Sequence, residues 1–140
     1  MVDRFDLERF VEAQAGVYEQ ACAELRAGRK RSHWMWFVFP QIRGLGSSPM
    51  AVRYAISGLE EARAYLEHPI LGPRLRECAG IVVGVEGKTA EQIFGYPDNL
   101  KFHSSMTLFA KADEGGGVFR MALEKHFGGG MDQGTLERIH

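Results

Sequence analysis

Apolar residues recur at helical spacing from the start of the chain. Leu7, Phe10, Val11, Gln14, Val17, Tyr18, Ala21, Cys22 and Leu25 follow steps of three and four, the pattern of an amphipathic helix with one face turned to a core. Asp6 stands where an N-cap belongs, and Gly28 ends the helix after Arg26. Gln14 is the polar member of the stripe. A buried amide must find hydrogen bonds or cost stability, so Gln14 is either a satisfied core residue or a group lining a pocket.

Shorter helices are predicted beyond it. Ser32 can cap a helix through "HWMWFVF", which Pro40 ends by biasing Phe39 away from helical geometry; a strand also fits so short an apolar run. "QIRGLGSSP" reads as a loop with Gly44 and Gly46 as its flexible points, and Ser48 with Pro49 starts the next helix. Ser57 with Glu60 has the form of a capping box for a helix through Leu66, and "HPILGPRL" interrupts it before Pro73 restarts one through about Val83. Thr89 with Gln92 is a second capping box, for a short helix that Gly95 stops. Asp98 caps or opens the helix containing "LKFHSSMTLFAK". A loop, "ADEGGG", separates it from a helix over Val118 to Phe127, and "GGGMD" precedes a short terminal helix. No two alternating segments pair as a sheet. The expected fold class is all-α: one compact multi-helix domain over residues 1–140, with short glycine and proline loops.

Composition agrees with a packed domain. Apolar residues make up 45% and charged residues 25% of the 140, which is the globular average. No segment approaches the ~18 apolar residues that span a bilayer. The opening "MVDRFDLERF" has no apolar stretch of a signal peptide. Cys22 and Cys78 are too few for a disulfide framework and have no metal-type spacing. A cytoplasmic protein with packed thiols is expected, with no membrane partner. Sharp motifs are missing: no P-loop, no GxGxxG, no HExxH, no paired CxxC and no GxSxG. Neither a metal nor a cofactor is expected.

Charge changes this picture. The net charge is -1, yet between Glu24 and Glu60 there is no acidic residue, while Arg26, Arg29, Lys30, Arg31, Arg43 and Arg53 supply six positive charges. Such asymmetry is either a solvated face or a local field that draws in an anion. Within it, "RKRSHWMWF" sets bases against aromatics. "PDNLKFHSSMTLF" holds a second anomaly. Phe102, Met106 and Phe109 share one face, but His103, Ser104, Ser105 and Thr107 are poor helix-interior residues. Ser104 and Ser105 either fill tight helix contacts or line a pocket, with Lys101 one turn and Asp98 two turns back along the Ser105 face.

In order along the chain, "GRKRSHWMWFVFPQIRGLGSS", "YLEHPILGPRL", "IFGYPDNLKFHSSMTLFAK" and "FGGGMDQGTL" resemble a bacterial family of uncharacterised helical proteins, domain of unknown function family 1810. The resemblance spans roughly residues 5 to 138 and implies a single, mainly α-helical domain with no established activity. Members sometimes carry the label calpastatin, but calpastatin inhibitors are long and disordered, and this chain has the composition of a packed domain. "RFVEAQAGVY", "EEARAYLEHPILGPRL" and "FGYPDNLKFHSSMTLF" are also similar to the NADAR family, small helical proteins with N-glycosidase activity on ribosylated and ADP-ribosyl-type substrates. That family's Glu-His pair before the early aromatic is absent, since Asp6, Leu7 and Glu8 precede Phe10 here.

The expected function is binding of an anionic, nucleotide-like or ribosyl-phosphate small molecule, extended to hydrolysis of its N-glycosidic bond. Lys30 and Arg31 would neutralise phosphate, and Trp34 or Trp36 would stack on a base or sugar face. Gln14, Gln41, Ser104 and Ser105 would orient the ligand, with Lys101 nearby. Asp98 is the candidate carboxylate and His33 the candidate proton carrier. The alternatives are a non-catalytic module for RNA or single-stranded DNA, against which stand a sequence pI of about 6.5 and the lack of a nucleic-acid motif, and a protein-interaction domain anchored by the tryptophan segment. Burial of Trp34, Trp36 and Phe37 separates them: a concave site favours a small molecule, an exposed strip the other two.

Overall fold

The computed structural model describes residues 3–139, and among them the chain forms ten helices and no sheet. A lone parallel bridge joins Ile42 to Ile56. The fold is all-α.

The first predicted helix is two. α1 (Glu8–Gln14) and α2 (Tyr18–Arg26) are separated at Gly16, whose φ of 75° is a left-handed conformation that glycine adopts without a Cβ penalty. Phe10, Gln14, Ala21, Cys22 and Leu25 are buried on either side of the break, so the stripe marks burial correctly but does not reveal the turn. Asp6 does not cap α1. It lies at φ 53°, and Asp3 takes the N–H groups of Leu7 (2.8 Å) and Glu8 (2.9 Å) instead.

α3 (Met35–Val38) is a single turn, and Ser32 does not cap it, because its hydroxyl donates to Glu24. α4 (Pro49–Arg53) begins as expected: Ser48 Oγ accepts from the N–H of Ala51 at 3.2 Å. α5 (Leu59–Glu67) starts one residue later than predicted, with Gly58 at the cap position. That shift places Glu61 in the third helical position. Glu61, rather than Glu60, therefore receives Ser57 N–H (2.9 Å) and O–H (2.8 Å), while its other oxygen pairs with Arg9 at 2.9 Å. α6 (Leu71–Gly84) follows at once, with Gly72 against α5 so closely that a Cβ there would lie 2.1 Å from the Leu66 carbonyl oxygen.

α7 (Ala90–Phe94) carries the predicted capping box: Gln92 N–H reaches Thr89 Oγ1 at 3.1 Å, and Thr89 N–H reaches Gln92 Oε1 at 2.9 Å. α8 (Asp98–Ala112), α9 (Gly117–Phe127) and α10 (Gln133–Arg138) complete the chain. α8 is central and packs on α5, α7, α9 and α10. Every residue from Ser104 to Ala110 is buried, as in a helix enclosed on all sides. Its aromatics tie the layers together. Phe102 stacks on Phe94 (4.6 Å between centroids) and meets Phe39 edge-on at 5.0 Å, while Phe109 contacts Tyr65, which meets Phe10 edge-on at 5.1 Å. Among the described residues no helix is long and apolar enough to cross a membrane.

Candidate functional site

The segment between α2 and α3 is organised by an acid at its border. Glu24, on the last turn of α2, is buried and accepts from Arg31 N–H (2.8 Å), Ser32 N–H (3.0 Å), Trp34 Nε1–H (2.9 Å) and the Ser32 hydroxyl. Burial disfavours its charge, but these hydrogen bonds outweigh it and hold the carboxyl down to about 2. Trp34 is fully buried by this arrangement, and Phe37 is buried beside it.

The basic run is consequently dispersed rather than gathered. Lys30 has a side chain only 8% exposed; its Nζ pairs with Asp98 Oδ2 at 2.9 Å and donates to the Ser32 carbonyl at 2.5 Å. Arg31 is exposed, as is His33. Arg43 and Arg53 turn to a different cavity, of about 490 Å³, shared with Arg4 and Arg9. A tightly packed base cannot change partners freely, so Lys30 is a structural cation in this conformation.

Four of the residues singled out from the sequence do converge. Trp36, Gln41, Lys101 and Ser104 line a cleft of about 520 Å³, with Leu45, Ser47 and Ser48 on the loop before α4 and Asp132 and Gly134 at the start of α10. Trp36 is half-buried, and the Lys101 ammonium stands 5.3 Å from the centroid of its ring. Pro40 and the bridge at Ile42 carry the chain from α3 into this wall: Ile56 N–H donates to the Gln41 carbonyl, and Arg43 N–H to the Ile56 carbonyl, both at 2.8 Å. A somewhat larger cavity, about 580 Å³, lies by α5 and α6, but its Arg63, Glu67, Arg76, Lys111, Asp113 and Glu114 mix both signs of charge and offer no aromatic face.

Asp132 is the acid of the cleft, although along the chain it is only the last residue of the "GGGMD" break. Its Oδ2 accepts from Ser104 Oγ (3.0 Å), Thr135 Oγ1 (2.6 Å) and Thr135 N–H (3.0 Å). Asp132 N–H in turn donates to Thr107 Oγ1 at 2.9 Å. Asp132 also caps α10 through the Thr135 N–H, a local role that says nothing about its approach to α8. The polar residues of α8 thus divide. Ser104 and Thr107 fasten the Asp132 turn while bonding back to the carbonyls of Leu100 and His103. Ser105 is fully buried, and its hydroxyl has no hydrogen-bond partner among the described residues.

The other candidates lie outside the cleft lining. Gln14 is a core bridge: its amide N–H groups donate to the Phe37 carbonyl (2.8 Å) and Tyr65 hydroxyl (3.2 Å), and its oxygen accepts from Arg74 at 3.2 Å. Asp98 is held between Lys30 and Lys101, the latter at 3.3 Å, with both carboxylate oxygens facing ammonium groups. Among the described residues no group of three His, Cys, Asp or Glu side chains is arranged to hold a metal.

An all-α domain with a tryptophan-walled cleft, mainly apolar with a few polar groups, at the junction of α3, α8 and α10 is what the fold and the site define. The chain belongs to the family described as a protein of unknown function, DUF1810, whose model matches residues 4–139. Its structure is similar to the crystal structure of a conserved hypothetical protein from Mycobacterium tuberculosis, with a TM-score of 0.96, 62% sequence identity and 98% of each chain covered. Comparison with curated proteins finds no match.

Proposed function

We propose that the cleft binds a small nucleotide-like or ribosyl-phosphate molecule. The observation that carries this reading is the convergence of Trp36, Gln41, Lys101 and Ser104, which come from separate parts of the chain, on one cleft of about 520 Å³. Ligand pockets typically hold ~300–1,000 Å³ and combine apolar walls with a few placed polar groups. Trp36 offers a flat face for a base or sugar. Lys101 supplies a compact positive charge for phosphate, in place of the buried Lys30. Asp132, with Ser47, Ser48 and Ser104 around it, suits the hydroxyls of a ribose. The burial of Trp34 and Phe37 supports a concave small-molecule site over a nucleic-acid or protein strip, because an exposed aromatic surface is what those alternatives require.

Hydrolysis of an N-glycosidic bond is the extension that the resemblance to the NADAR family supports. Cleavage there develops positive charge on the sugar ring, and a fixed carboxylate stabilises it. Asp132 takes that part in the proposal, since it lines the cleft and Asp98 faces two lysines.

A thermal-shift screen against nucleotides, ADP-ribose, NAD and ribose phosphates tests the reading. A ligand at about 100 times its dissociation constant adds roughly 2.7 kcal/mol to stability, a readily measured shift. Trp36→Ala and Lys101→Met should each abolish the shift, and chromatography of the incubated hit should show base release that Asp132→Asn removes. If no compound in these classes shifts the midpoint, or if hits bind both variants unchanged, the cleft is not the site.

A further inference from the structure

Away from the cleft, we propose that Cys22 and Cys78 form an oxidation-sensitive dithiol that closes into an intramolecular disulfide on reaction with a hydroperoxide. The two residues are distant in sequence, on α2 and α6, helices that pack directly on each other. Their sulfurs lie 3.9 Å apart, both as free thiols. A disulfide needs ~2.05 Å, a gap of a size that side-chain rotation and small helix shifts close.

The surroundings give the two cysteines different parts. Glu77 Oε1 lies 3.9 Å from Cys22 Sγ, and Glu77 is exposed, so a solvent-facing carboxylate stands beside the buried Cys22 thiol. The Tyr18 hydroxyl donates to the same oxygen. Cys78 is fully enclosed, and burial pushes its thiol above the ordinary range, so it stays protonated until a partner sulfur is presented.

Cys22 is the sulfur that reacts first. Its proton passes by way of Glu77, the sulfur attacks one peroxide oxygen, the O–O bond breaks, and the departing oxygen takes the proton to leave as an alcohol, or as water from hydrogen peroxide. Cys22 is then a sulfenic acid. Cys78 sulfur attacks Cys22 sulfur, the S–O bond breaks, and the hydroxyl leaves with the Cys78 proton as water. The dithiol loses two electrons and the peroxide gains two. The product ties α2 to α6 just before Glu24, the residue that fixes Trp34 and the entry to α3.

Treating the purified full chain with hydrogen peroxide and measuring its intact mass without reductant tests this. The expected product is a monomer about 2 Da lighter with no alkylatable thiol after denaturation, restored by dithiothreitol. Its thermal midpoint should exceed that of the reduced protein. Cys78→Ala should instead leave a sulfenic acid on Cys22 that dimedone captures, and Cys22→Ala should leave Cys78 unmodified. Two surviving thiols, oxygen addition without a cross-link, or cross-links only between molecules would overturn the proposal. The wild-type mass decides the matter alone if a variant does not fold.

Discussion

Replacing Glu24 by Gln keeps the side chain's size while removing its charge and turning one acceptor into a donor. The new amide N–H group takes the place of Oε2 and faces the Ser32 hydroxyl and the Gln20 amide, while the retained carbonyl oxygen serves Arg31 N–H, Ser32 N–H and Trp34 Nε1–H, 2.8 to 3.0 Å away, as a neutral acceptor. Hydrogen bonds to a charged group contribute about 1.5–3 kcal/mol and neutral ones about 0.5–1.5, so weakening these three costs on the order of 2–3 kcal/mol, and the fully buried Trp34 has no water to turn to instead. A second route to the magnitude is the depression of the Glu24 carboxyl from 4.5 to about 2, which corresponds to about 3 kcal/mol of favourable interaction with the charged form. Both routes place the loss on the order of 2–3 kcal/mol at neutral pH. Because the folded-state value is depressed, this contribution is complete above the unfolded value near 4.5 and fades as the pH falls towards about 2. Urea denaturation of wild type and Glu24→Gln at pH 7 should differ by about 1 M or more in midpoint, given slopes of roughly 1–3 kcal/mol/M. The gap should narrow from about pH 5 downwards. Equal midpoints at pH 7, or a gap that stays constant through that acid window, would show that the carboxylate does not hold the segment.

Lys30→Glu places a second carboxylate against Asp98 with little solvent to screen it, so it should lose about 3 kcal/mol or more in a denaturant melt, whereas Arg31→Glu, an exposed change, should move stability by ~1 kcal/mol or less. Equal effects of the two would contradict the burial of Lys30. Ser105→Ala removes a buried hydroxyl that has no partner, so thermal unfolding should show no loss and a small gain, while Ser105→Leu overpacks the same position and costs roughly 1–3 kcal/mol. A clear destabilisation by Ser105→Ala would mean that the hydroxyl has a partner after all.

Much of the fold was legible along the chain because its signals are local. A serine or threonine at the start of a turn, with a glutamine three residues on, satisfies orphan N–H groups wherever the helix is later packed, and the Thr89–Gln92 box and the Ser48 cap formed as read. Helical periodicity marked the buried faces of α1 and α2 for the same reason. Local rules failed where a single backbone position decides the outcome. Gly16 turns the first stripe into two helices, and a one-residue delay at Gly58 moves the role of Glu60 to Glu61. Charge was the least transferable signal. Six bases in a run without acids suggested one positive field, but a side chain's partners are set in three dimensions: Glu24 and Asp98 reach into the run from outside it, and Lys30 is spent on packing. The cleft belongs to the tertiary structure for the same reason. Trp36, Lys101 and Ser104 stood out by type, but Asp132 lies 28 residues from the serine it contacts, and only the return of the chain across α8 makes it the acid of the site.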